Sequence, residues 1–164
     1  MNYAYSNNGD SWRMVEADWI LDAGEVAFDH QPTDAALTAA FPGYAAAASA
    51  AVAQAKYATA SAAGCQIVSA SAPALNGTYG VQPSDLLMVS GEQVYILARQ
   101  TFSNGQTSRG WEDVVGTYHM LPSIAEGEAL FSALAGYVDA LKTALALAQG
   151  GGTWVAPVQP VTIL

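Results

Sequence analysis

Between Tyr44 and Ala63 the chain is built mostly of alanine, with Pro42-Gly43 just before the tract and Gly64 just after it. Alanine has the highest helix propensity of any residue, and glycine is favoured just beyond a helix end, so one long helix is predicted over Tyr44–Ala63. The series Tyr44, Ala48, Ala51, Ala55, Ala58, Ala62 advances in alternating steps of four and three. That spacing suits either a close-packed seam or a plain helical spacer, because each alanine buries little area. Ser49, Gln54, Lys56, Thr59 and Ser61 interrupt the tract, which therefore does not read as a membrane span.

Around this helix the 164 residues divide into four parts. Residues 1–31 read as two or three short strands, turned at Asn8-Gly9 and at Asp22-Ala23-Gly24-Glu25. Residues 32–64 form a helical segment: a short helix starts at Thr33-Asp34 and breaks at Phe41-Pro42-Gly43, and the alanine helix follows. Residues 65–150 read as an α+β domain. Strands are expected at Gln66–Ser69, Thr78–Val81, Leu86–Val89 and Gly116–Leu121, with a hairpin pairing Gln93–Phe102 and Gln106–Trp111 about Asn104-Gly105.

Ser123 and Glu126 stand at capping-box spacing and open a last helix that runs to about Gln149. Its residues Phe131, Leu134, Val138, Leu141, Leu145 and Ala148 recur in steps of three and four, so one face is reserved for packing, on the chain's own sheet or on a partner. Residues 151–164 form an extended tail with two prolines and no charged side chain. Trp154, Val155 and Val158 would be sticky if left in water, so the tail is expected to dock at a sheet edge of its own domain or of a neighbour. The fold class is thus α+β: an N-terminal hairpin region, an alanine-rich helix, and a small antiparallel sheet covered by a C-terminal helix.

Five Lys and Arg stand against fourteen Asp and Glu, a formal charge of −9, and only 12% of residues are charged. A surface so poor in cations is a bad partner for nucleic acid or anionic lipid, and neither binding nor membrane insertion is expected. With so few charges, much of the surface is a candidate for covering by another chain. Cys65 is the only cysteine, which excludes an intramolecular disulfide and a paired-cysteine zinc site. His30 and His119 lie 89 positions apart, the close acidic pairs Asp18/Asp22 and Glu112/Asp113 read as turn or strand ends, and no Gly-x-Ser-x-Gly elbow occurs. No catalytic, metal-binding or cofactor-binding residue is assigned. The residues left for recognition are aromatic and polar: Tyr95, Asn104, Gln106, Arg109 and Trp111 form a candidate ligand contact, with a sheet core as the other reading of the rings.

The stretch Trp19 to Tyr44, WILDAGEVAFDHQPTDAALTAAFPGY, resembles a segment of small phage and prophage tail proteins in which an aromatic hairpin and a Pro-Thr-x-x-x-Leu helix lead to an Ala-Phe-Pro-Gly-Tyr corner. The remainder looks like the small α+β module found on tail-fibre and tail-fibre-assembly proteins, although the apolar, proline-containing tail departs from that pattern. The resemblance implies a non-enzymatic structural component of a bacteriophage tail, at the tip, baseplate or fibre, made in the host cytoplasm and carried in the virion. Its partners would be other tail proteins and copies of itself, a trimer being favoured. A tail-fibre assembly chaperone or an adhesin for a host-surface glycan is the alternative. Phe131, Leu134, Val138, Leu141, Leu145, Trp154, Val155 and Val158 are the candidate interface residues.

Overall fold

A computed structural model describes residues 1–163; the last residue of the expected tail, Leu164, lies outside them. The fold is α+β, with the strands in three small sheets and four helices packed around two separate cores.

β1 (Asn2–Ser6), β2 (Ser11–Val15) and β3 (Val26–Phe28) form an antiparallel sheet in the order β2-β1-β3. Tyr5 lies opposite both Trp12 and Val26, so these side chains share one face. The face is covered by α1 (Asp34–Ala40), whose start is fixed by Thr33 Oγ1 accepting from the Ala36 N–H at 3.3 Å. Tyr5, Leu37 and Phe41 close this first core. On the sheet, Arg13 of β2 holds the loop between β2 and β3 in place through Glu25, at 2.8 and 2.9 Å, and Asp22, at 3.0 Å.

α2 (Tyr44–Ala63) spans the whole alanine tract. Its end depends on Gly64, which takes φ +82° and where a Cβ would stand 2.7 Å from the Tyr79 carbonyl oxygen. α2 packs on the last helix, α4 (Ile124–Gln149), through Ala53, Tyr57, Ala60 and Ser61. Within the chain the alternating series is not the packed side: Ala48, Ala51, Ala55, Ala58 and Ala62 are exposed. Alanines recur at nearly every spacing in this helix, so their pattern has no direction, and the bulky Tyr57 decides which side is buried.

β4 (Cys65–Val68) is the centre of the second sheet, antiparallel to β5 (Gly77–Tyr79) and parallel to β8 (Val161–Thr162). The tail is thus docked on its own domain, at a sheet edge. Gln159 anchors it: its Oε1 accepts from the Gln66 N–H at 2.9 Å, and its Nε2 donates to the Gly64 carbonyl at 3.2 Å and to the Tyr137 hydroxyl. Ile163 is buried, and its N–H donates to the Val68 carbonyl at 2.9 Å.

Residues 83–99 depart most from expectation. Neither the strand at Leu86–Val89 nor the strand at Gln93–Phe102 forms; the first and most of the second lie in α3 (Pro83–Arg99). Pro83 occupies the first turn, Asp85 Oδ2 accepts from the Gln82 N–H at 2.9 Å, and the Gln82 side chain returns the bond. Asn104-Gly105 does turn the chain, with Gly105 at φ +76°, but it joins a helix to a strand. That strand, β6 (Arg109–Glu112), pairs with β7 (Tyr118–Leu121), so the expected single antiparallel sheet is split in two.

The main core is built from Phe131, Leu134, Val138 and Leu141 of α4 against Ile67, Tyr79, Val89, Ile96, Trp111 and Leu121. α4 has the length and apolarity to cross a membrane, and the core uses that apolarity.

Candidate functional site

Where the start of α3 meets the β6–β7 hairpin, a cleft of about 180 Å³ opens, with Asp85 and Met88 on one wall and Arg109, Trp111, Glu112 and Tyr118 on the other. It is smaller than the roughly 300 Å³ at which small-molecule sites usually begin. Arg109 is fixed before any ligand arrives. Glu92 of α3, buried at 5% exposure, accepts from Arg109 Nη1, the Ser103 hydroxyl and the Ser103 N–H, the last at 2.8 Å. This knot ties α3, the following loop and β6 together, and it leaves the guanidinium neutralised, 5.6 Å above the Trp111 ring.

Trp111 is 8% exposed, and its ring also meets Phe131 at 4.8 Å. It is thus part of the core wall. Tyr118 is different: it is 71% exposed, its ring lies along the Gly110 backbone, and a hydrogen bond to Glu112 pushes its hydroxyl pKa up. Of the five candidate contact residues, Arg109 and Trp111 line the cleft. Tyr95 lies farther along α3, 5.6 Å below the Arg99 guanidinium. Asn104 and Gln106 serve their own turn: the Gln106 N–H donates to Asn104 Oδ1 at 2.9 Å, and Asn104 Nδ2 donates to the Ser108 carbonyl at 3.1 Å.

The candidate interface residues also separate into groups. Phe131, Leu134, Val138 and Leu141 are buried inside the domain. Leu145 and Trp154 are half-buried, and Val155 and Val158 are exposed.

A second polar cluster was not read from the sequence. His119 Nε2 lies 3.1 Å from Asp113 Oδ2, and His119 Nδ1 lies 2.8 Å from the Ala74 carbonyl oxygen. The other Asp113 oxygen accepts from the Val115 N–H at 3.0 Å and the Thr117 N–H at 2.8 Å. His119 thus bridges Asp113 and the Ala74 carbonyl, and the pair fastens the hairpin to the segment before β5. The available signal was weak: positions 113 and 119 flank a turn and fall near each other once the hairpin forms. Cys65 lies in β4, where burial pushes its thiol up to about 11. Among the described residues no group of three or more His, Cys, Asp or Glu could hold a metal ion.

Hydrogen bonding from His119, and then from the two backbone N–H groups, holds Asp113 below its ordinary value of 3.8. A carboxyl depressed in the folded state contributes stability that is present above its ordinary pKa and lost as the pH falls through the lowered one. Melting temperatures of the wild type and Asp113→Asn should therefore differ at about pH 6 and converge towards about pH 2. A gap independent of pH would refute this role.

Comparison with family models, curated proteins and solved structures gives no match.

Proposed function

We propose that the chain is a non-enzymatic structural subunit that works by protein–protein assembly, as a component of a bacteriophage tail at its tip, baseplate or fibre. The observation that carries the assembly reading is the amount of large apolar surface left in water. Trp12, Met14, Trp19 and Ile20 on the N-terminal sheet and its loop, Leu87, Val94 and Leu97 on α3, Val115 on the hairpin, and Val155 and Val158 on the tail are all more than half exposed. Single exposed apolar residues are ordinary, but repeated patches in a chain with 12% charged residues mark surfaces meant for partners. The tail-protein resemblance of Trp19–Tyr44 gives that assembly its setting.

Light scattering across a concentration range tests this reading. The expected result is a mass that rises from one copy to a defined oligomer as concentration rises to about 1 mM. A single copy throughout would count against self-assembly.

Glycan binding is the second reading, favoured by one observation: the exposed Tyr118 ring stands beside Glu112 and the fixed Arg109 in an open cleft. Tyr118→Ala, at an exposed position, should then abolish glycan binding while leaving the melting temperature within about 2 °C. Unchanged binding would remove this reading.

A further inference from the structure

α3 is amphipathic in an unusual sense. Its inward side carries Val89, Glu92 and Ile96, all buried. Its outward side carries Leu87, Gly91, Val94 and Ala98, spaced four, three and four, with Ser90 and Leu97 alongside. Leu87 is 75% exposed, Val94 63% and Leu97 78%. The only charged residues of the helix, Asp85, Glu92 and Arg99, all lie away from this stripe. A helix surface normally turns charged and polar residues to water, so an uncharged Leu/Val stripe on the outside lacks a partner among the described residues.

Gly91 adds a second, independent observation. It is the central residue of Pro83–Arg99 and lies on the exposed stripe, and nothing stands within 4 Å of where its Cβ would be. Within the chain, then, neither φ nor space requires glycine there, and glycine weakens a helix interior relative to alanine. A missing side chain at the midpoint of an outward apolar stripe is what a second helix needs to cross closely at that point.

We infer that the outward face of α3 pairs with the same face of a second copy, antiparallel about a two-fold axis that passes Gly91. This rests on the assembly reading above and names its surface. A crossing at the midpoint sets Gly91 against Gly91 and places Leu87 of one copy near Val94 and Leu97 of the other, so a single stripe is complementary to itself. The antiparallel arrangement also sets the N-terminal end of one helix beside the C-terminal end of the other, and opposite helix ends attract. For two copies that each carry a charge of −9, an uncharged stripe is where they can approach at least cost. An isologous contact closes at two copies, giving a dimer in place of the trimer. One helix pair covers less than the roughly 1,000 Å² of a stable interface, so the dimer is concentration-dependent.

The test is sedimentation equilibrium on the full chain and three exposed-site variants. Val94→Lys and Gly91→Gln should each weaken the dimer at least about tenfold. At dilution Gly91→Gln should also melt above the wild type, because the site has room and glutamine is the better helix former. Ala55→Lys, on the outward face of α2, should leave the dimer unchanged. A wild-type dimer that ignores Val94→Lys and Gly91→Gln, or that only Ala55→Lys breaks, overturns the α3 contact and leaves the assembly reading standing. A chain that stays a single copy up to about 1 mM overturns both.

Discussion

Phe131→Ala should cost about 3–5 kcal/mol, the range for removing a fully buried aromatic ring. The residue has no exposed surface, and its ring meets Trp111 at 4.8 Å and Phe102 at 6.5 Å, both edge-on. One ring therefore joins α4 to β6 and to the segment that follows α3. At about 2–4 °C per kcal/mol for a chain of this size, the melting temperature should fall by roughly 6–20 °C, as read by circular dichroism. Against a typical total of about 5–15 kcal/mol, that is enough to leave a substantial unfolded population near the growth temperature. A loss below about 1 kcal/mol would mean that the ring is not the hub described here.

Removing the tail after Gly152 should have an effect of similar size. It deletes the buried Ile163, about 1.5–3 kcal/mol of apolar burial, and the three hydrogen bonds of the Gln159 side chain, about 0.5–1.5 kcal/mol each. It also uncovers one edge of β4, which then offers unpaired N–H and C=O groups to any other strand. The truncated chain should melt lower and aggregate on warming. The single change Gln159→Ala should lose only part of the stability and stay soluble, because β8 can still pair with β4. A truncation that melts like the full chain would show the tail to be an ornament of the fold.

The sequence was most legible where local chemistry and tertiary packing agree. α2 begins after Gly43 and ends before Gly64 because a run of alanine has no competing preference, and Gly64 alone fits its backbone turn. Thr33, Ser123 and the two N-terminal turns were readable for the same reason: each satisfies backbone groups within a few residues. α3 was misread because its apolar pattern is inverted. Leu87, Val94 and Leu97 face out, while the buried position 92 is a glutamate made tolerable by Arg109, Ser103 and the Ser103 backbone, all distant in sequence. Val89, Val94, Tyr95 and Ile96 then read as strand residues, whereas in the fold Pro83 and the Gln82/Asp85 cap start a helix. Within the candidate site, Arg109 and Trp111 could be singled out by type, but the roles that Glu92 and Phe131 give them depend on contacts made only after folding.

β4 lies between a strand close by in sequence and one that follows all four helices, so its two edges become available at different times during synthesis. The β4–β5 hairpin can close as soon as residue 79 is free of the ribosome. The other edge stays open, beside a nearly finished core, until Val161 and Thr162 have been released. Synthesis thus leaves this sheet half-made while α3, β6, β7 and α4 are added, and β8 seals it only afterwards.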